Sequence, residues 1–384
     1  MTLEPKRTYT PGARIEDLVR EGVLAPTFRD LVTADELHPV LYDHQERAVR
    51  SAITDRRNVV IATGTGSGKT EAFLLPIVNG LLEELDAGRL TANVKAILLY
   101  PMNALANDQM KRIREVFRHL PPEITFGRYI GATEHRQADA EKDWLERNGR
   151  STVRPANELI SRDVMDETPP NLLLTNYAML ERLLLLPKSS RLFSAELRWI
   201  ALDEVHSYDG ARGTEMAFLL RRLRQRTVGV RERLQCFAAS ATLGDGPTSS
   251  AAVAKYATEL FDEPFEAAGV ITPNHVPINI DPDSSSLHAA ALTQLGQNRP
   301  LNLDDPKWAG LREQLRENPS ALPVRYHQIV RSPAGAFVCL SPAHPDAIDK
   351  PRITLQWECQ VNLAPPCASD LAPPLLEANR ILMT

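Results

Sequence analysis

The chain has 384 residues, 43% hydrophobic and 24% charged, the makeup of a soluble globular protein with room for two domains. A net charge of −5 argues against a globally basic nucleic-acid binder but allows a local basic track. Its four scattered cysteines do not form a disulfide framework, and no leader-like core or membrane-length apolar run is present, so a cytoplasmic protein with no membrane partner is expected.

Residues 1–37 read as an accessory lead-in, with short amphipathic helices around Ile15–Val19 and Phe28–Val32 flanking Pro26. Leu41–Val49 reads as a helix. Within it His44 and Gln45 would by themselves be a solvated face, but a glutamine amide upstream of a phosphate loop offers the donor and acceptor that suit an adenine edge. Val59-Val60-Ile61 reads as a buried strand, followed by Thr63-Gly64-Thr65-Gly66-Ser67-Gly68-Lys69-Thr70 and a helix beginning near Glu71. A strand, a glycine-rich turn and a helix N-terminus make an anion site, where backbone amides surround phosphate oxygens. Lys69 would reach the β- and γ-phosphates and Thr70 would ligate Mg²⁺. The general pattern has Gly where Thr63 stands, so Gly64 and Gly66 are expected to carry the unusual dihedrals. A flexible Gly/Thr linker would not explain Gly-Lys-Thr at the start of a helix.

Five more strand candidates follow: Val94–Tyr100, Ile124–Gly131, Leu172–Asn176, Leu197–Leu202 and Cys236–Ala239. Residues 134–168, charged and flanked by prolines, read as an irregular surface insertion. Apolar runs alternating with helical stretches predict an α/β fold with a mostly parallel sheet covered on both faces. Polar groups stand at the strand C-termini, where such sheets place their ligands. Asp203 and Glu204 end the fifth strand. Asp203 is expected to hold Mg²⁺ and Glu204 to orient and deprotonate a water that attacks the triphosphate. Read in isolation, they would be two carboxylates on a solvated turn, and Ser240-Ala241-Thr242 a small polar turn.

As an ordered set, Gln45, Gly64–Thr70, Pro101–Gln109, Thr175-Asn176, Asp203–His206 and Ser240–Thr242 resemble the first, RecA-like motor domain of a superfamily 2 DExH-box helicase over roughly residues 38–265. The stretch Asp203-Glu204-Val205-His206-Ser207-Tyr208-Asp209-Gly210-Ala211-Arg212-Gly213, with Arg221-Arg222-Leu223 after it, is similar to the large DNA helicases of the Lhr and MrfA groups. Tyr100-Pro101 and Asp108-Gln109 fit those groups, with Met102-Asn103 where Thr-Lys is commoner. The resemblance implies ATP read by Gln45, and a nucleic-acid strand, DNA in these groups, held near Pro101, Asn103, Thr175 and Asn176. It implies that His206, Ser240 and Thr242 couple the nucleotide state to that grip. Arg221, Arg222, Arg224 and Arg226 read instead as a solvated face or structural pairing.

A complete motor of this family has a second RecA-like domain that supplies an arginine finger. No such motif is found in residues 250–384, and residues 266–384 read as a linker and a partial insert or extension, with a loop-like segment over 281–306. A separate chain supplying that domain is one expectation. Cys339, His344, Cys359 and Cys367 lack a Cys-x-x-Cys pair and read as isolated residues, with no zinc expected. The competing reading is a nucleotide-dependent binding module with negligible turnover.

Overall fold

The computed structural model describes residues 2–5, 9–64, 66–101, 103–149, 152–227, 234–241 and 250–276, with short pieces at 290–291, 301–302, 305–311, 313, 324–330, 337–339, 352–354 and 381–383. The chain divides into two compact units, Tyr9–Asn274 and a second made of Met1–Thr8 with His275–Thr384. In the second, β1 (Thr2–Pro5) pairs antiparallel with β12 (Leu301–Asn302) and β13 (Val324–Val330), and β13 pairs with β16 (Ile381–Met383). β14 (Phe337–Cys339) and β15 (Arg352–Thr354) form a separate antiparallel pair.

The larger unit carries an eight-stranded sheet. Its strands are β4 (Val59–Ala62), β5 (Ala96–Tyr100), β6 (Phe126–Arg128), β7 (Glu158–Leu159), β8 (Leu172–Asn176), β9 (Trp199–Leu202), β10 (Gln235–Ser240) and β11 (Val270–Ile271). They are ordered β11-β4-β10-β9-β5-β8-β6-β7, and every pairing is parallel. Successive side chains of a strand face opposite ways, so the apolar runs feed two cores. Val59, Ile61, Leu98, Leu172, Leu174 and Phe237 pack with helices α1 (Ile15–Arg20), α2 (Phe28–Thr33), α3 (Asp43–Ile53), α4 (Lys69–Asp86) and α5 (Asn103–Phe117). Val60, Ile97, Leu99, Leu173, Ile200, Leu202 and Cys236 pack with α7 (Arg162–Glu167), α8 (Tyr177–Leu185), α9 (Gly210–Thr227) and α10 (Ser250–Phe261). Each buried aliphatic side chain of this kind contributes ~1.5–3 kcal/mol. This is the RecA-like architecture expected from the sequence.

Two stretches depart from expectation. Residues 134–168 are not irregular: they hold α6 (Gln137–Asn148), edge strand β7 and α7. Most charged residues of the stretch are exposed, but Glu158 is buried. Arg114 donates to both its oxygens at 2.7–3.0 Å, and Trp144 Nε1 donates to it at 3.2 Å. The second departure is the ribbon of β2 (Pro11–Arg14) and β3 (Val40–Tyr42), which brings the lead-in against the phosphate loop. None of the described helices is long and apolar enough to cross a membrane.

Candidate nucleotide site

Three neighbouring strand ends, those of β4, β10 and β9, converge on one place. Thr63 leaves β4 with its N–H donating to Ser240 O at 3.1 Å, and its hydroxyl is 2.6 Å from that of Ser67. Gly66 (φ 72°) and Gly68 (φ 70°) take the left-handed conformation that side chains resist; Gly64 does not. The loop's dihedral load therefore falls one glycine later than the pattern suggested. Space near Gly64 is limited by Tyr9, whose hydroxyl would lie 3.3 Å from an added Cβ.

The loop is clamped from α3. Gln45 accepts from Tyr42 N at 2.8 Å and donates to Gly68 O at 2.9 Å. His44, fully buried, contacts Ser67 O through Nε2 at 2.8 Å. Because a carbonyl only accepts, Nε2 carries the proton. The His44 ring stacks against Tyr42 and meets Tyr9 edge-on, with centroids 5.7 and 5.1 Å away. The clamping by His44 and the approach of Tyr9 were not visible in the sequence. His44 looked solvated, and nothing in residues 1–37 marked the ribbon.

The acidic pair follows β9. Asp203 is 8% exposed, and its Oδ1 accepts from Glu204 N at 2.8 Å. Burial pushes the Asp203 carboxyl above its ordinary value. The Glu204 N–H opposes this shift, the Glu204 charge reinforces it, and Lys69 opposes it. Glu204 itself is left-handed (φ 47°), a conformation that costs a non-glycine residue ~1–3 kcal/mol and that tends to occur at functional sites. In it, Glu204 Oε1 lies 3.5 Å from Lys69 Nζ, and Oε2 lies 3.3 Å from His206 Nδ1. His206 Nδ1 is also 3.1 Å from Ser240 Oγ, so it bridges β9 and β10. Two buried phenols, Tyr100 and Tyr208, have hydroxyls without a hydrogen-bond partner among the described residues. Burial raises both pKa values, and the nearby Asp203 charge raises them further.

These residues fit a magnesium–triphosphate group. Among the described residues, chain neighbours aside, nothing lies within 4 Å of a Cβ added at Gly66, so the loop presents backbone there. Thr70 and the second Asp203 oxygen are hard oxygen donors suited to Mg²⁺. No cluster of three or more His, Cys, Asp or Glu among the described residues forms a self-sufficient metal cage. Magnesium ordinarily takes one or two protein ligands and completes its shell with phosphate and water.

The residues expected to grip a strand lie on the same sheet edge. Tyr100 and Asn176 are register partners that end adjacent strands, and Pro101 follows Tyr100. Asn176 caps α8 by accepting from Met179 N at 2.8 Å. Thr175 is fully buried and turns its hydroxyl inward to Tyr129 O at 2.7 Å. Asn103 opens α5, but its side chain is outside the described residues, as are Thr65 and Thr242. His344, Cys359, Cys367 and the Cys339 side chain are also outside them. Arg221 and Arg224 pair with Asp262, Arg222 lies 3.9 Å from Glu181, and Arg226 donates to Leu184 O. Structural pairing describes Arg221, Arg224 and Arg226, and a solvated face describes Arg222.

The sequence profile of the DEAD/DEAH box helicases matches residues 42–249, more than half of the chain. Druantia protein DruE of Escherichia coli is 31% identical over 332 residues, covering 63% of this chain and 18% of DruE. The ATP-dependent helicase Lhr-Core of Methanothermobacter thermautotrophicus is 31% identical over 214 residues, covering 52% of this chain and 23% of that protein. The chain thus spans under a quarter of the length of either relative. DEAD-box helicase Mss116 bound to ssRNA and UDP-BeF shares the fold at a TM-score of 0.52 and 17% identity, over 82% of this chain and 55% of that one. DUF1998 helicase MrfA bound to DNA does so at 0.50 and 21%, over 78% of this chain and 35% of that one. The profile match and the ordered strand ends lead to one conclusion: the chain belongs to the DEAD/DEAH box helicase family.

Proposed function

We propose that this chain is the ATP-binding motor part of an ATP-dependent nucleic-acid helicase or translocase that is completed by a second RecA-like domain, in the same polypeptide or a separate chain. The observation that carries the reading is the convergence of Lys69 and Glu204 at 3.5 Å beside the left-handed glycines of the phosphate loop. In this reading Gln45 recognises adenine with the N–H and lone pair left beyond its bonds to Gly68 O and Tyr42 N, Lys69 neutralises phosphate charge, and Thr70 and Asp203 hold Mg²⁺. Bound there, the metal would offset charge developing on the phosphate oxygens. Glu204 accepts the proton of the attacking water. His206, placed between Glu204 and Ser240, carries the nucleotide state from β9 to β10.

Pro101, Asn103, Thr175 and Asn176 would hold a strand by its backbone, as a motor indifferent to base identity must. Thr175 acts there by fixing the backbone at Tyr129 and Asn176 by capping α8. DNA is the proposed strand, on the resemblance of Asp203–Gly213 to large DNA helicases. The test is ATP turnover by residues 1–384 with and without single-stranded DNA or RNA, beside a duplex-unwinding gel. Mg²⁺-dependent ATP binding, weak hydrolysis and no unwinding are expected, because arginine-finger stabilisation is worth ~10³–10⁵ in rate. Robust DNA-stimulated turnover with unwinding would contradict the need for a second motor domain. Absence of ATP binding would contradict the reading altogether.

A further inference from the structure

Helix α5 is fastened to the first turn of α4 at two points. The Thr70 hydroxyl donates to Gln109 Oε1 at 2.9 Å, and one turn further along α5 Arg112 Nε donates to Glu71 Oε1 at 2.9 Å. Thr70, Gln109, Glu71 and Arg112 are all half-buried, so bulk water competes only partly for these bonds. A threonine hydroxyl has one proton and two lone pairs on a freely turning rotor. A metal accepts only the lone pairs; a proton swung into the metal site repels the cation. With its proton committed to Gln109, Thr70 has both lone pairs left for a ligand on its other sides.

We propose that Gln109 is a positioning residue for magnesium, fixing the Thr70 hydroxyl with its proton turned away from the cation. This rests on the reading of Thr70 as a magnesium ligand. The Arg112–Glu71 pair keeps the two helices in the register that lets Gln109 reach Thr70. Gln109 touches neither nucleotide nor metal; it acts through Thr70.

The test is ATP binding by calorimetry across a range of free Mg²⁺, with an EDTA arm free of metal, on the parent, Gln109→Leu, Gln109→Glu and Thr70→Ala. Loss of an outer partner costs metal sites ~10–100-fold in affinity. Gln109→Leu should therefore raise the half-saturating Mg²⁺ concentration about tenfold, while ATP affinity in EDTA stays at the parent value. Gln109→Glu offers only acceptors and should restore the parent's Mg²⁺ dependence. A Gln109→Leu variant with the parent's Mg²⁺ dependence, beside a Thr70→Ala variant whose requirement rises, would overturn the proposal alone. So would a Gln109→Glu variant as impaired as Gln109→Leu, because the amide would then have been donating. Loss of ATP affinity in EDTA by both Gln109 variants would also overturn it, showing a structural role. Unchanged Mg²⁺ dependence in Thr70→Ala would instead remove the reading of Thr70 on which the proposal stands.

Discussion

Replacing Gly68 with alanine places two separate costs on one atom. Gly68 has φ 70°, and left-handed backbone costs an L-residue ~1–2 kcal/mol. The new Cβ would also meet the Gln45 amide nitrogen closer than van der Waals contact allows, with Glu71 Oε2 3.0 Å away. Gln45 must move, and its hydrogen bond to Gly68 O, 2.9 Å in the parent, is lost for another ~0.5–1.5 kcal/mol. The total is about 2–3 kcal/mol. If the loop keeps its shape, the loss appears as stability, read from the midpoint of urea unfolding. If the loop relaxes, it appears as ATP affinity, weakened about 30- to 150-fold at ~1.4 kcal/mol per decade. Measuring both on the same variant captures the cost in either form. A Gly68→Ala protein with the parent's urea midpoint and the parent's calorimetric ATP affinity would refute the clamp between α3 and the loop.

Two further outcomes follow from buried groups away from the loop. Glu158→Ala removes the two-pronged acceptor of Arg114, whose guanidinium keeps Asn148 Oδ1, and should cost about 3 kcal/mol in chemical unfolding; a loss under 1 kcal/mol would show that the pair is open to solvent. Burial pushes the Cys236 thiol well above its ordinary value, so at pH 8 its peptide should stay unlabelled by iodoacetamide until urea unfolds the chain; labelling of the folded protein would place β10 outside the core.

The strands that build the site were legible because burial on both faces leaves uninterrupted apolar runs. Leu172–Asn176 appears in the structure with the bounds its sequence implied. β7 and β11, two residues each, are too short to leave such a run. The burial of Glu158 left no signal for a different reason. A carboxylate in a sequence looks solvated, and its partners Arg114 and Trp144 are brought to it only by the packing of α5 and α6. The placement of Lys69 at a helix start and of Asp203 and Glu204 just past a strand was readable from the apolar runs, whereas the left-handed backbone that turns Glu204 toward Lys69 was not. His44 and Tyr9 depend on the β2–β3 ribbon, which pairs Pro11 with Tyr42 and Arg14 with Val40, a long-range contact with no periodic signal. Gln109 stood inside a recognised segment, but its bond to Thr70 exists only because α5 lies along α4.

The central claim is that the strand ends of β4 and β9 form a working ATP site in which Lys69 binds and Glu204 acts on water. Calorimetric titration of ATP with Mg²⁺ into the parent, Lys69→Ala and Glu204→Gln, followed by phosphate release from the same samples, tests it most directly. Lys69→Ala should lose binding, because it removes the cation that meets the phosphates. Glu204→Gln should bind ATP as the parent does and release no phosphate above background. Equal ATP affinity in Lys69→Ala and the parent would contradict the account.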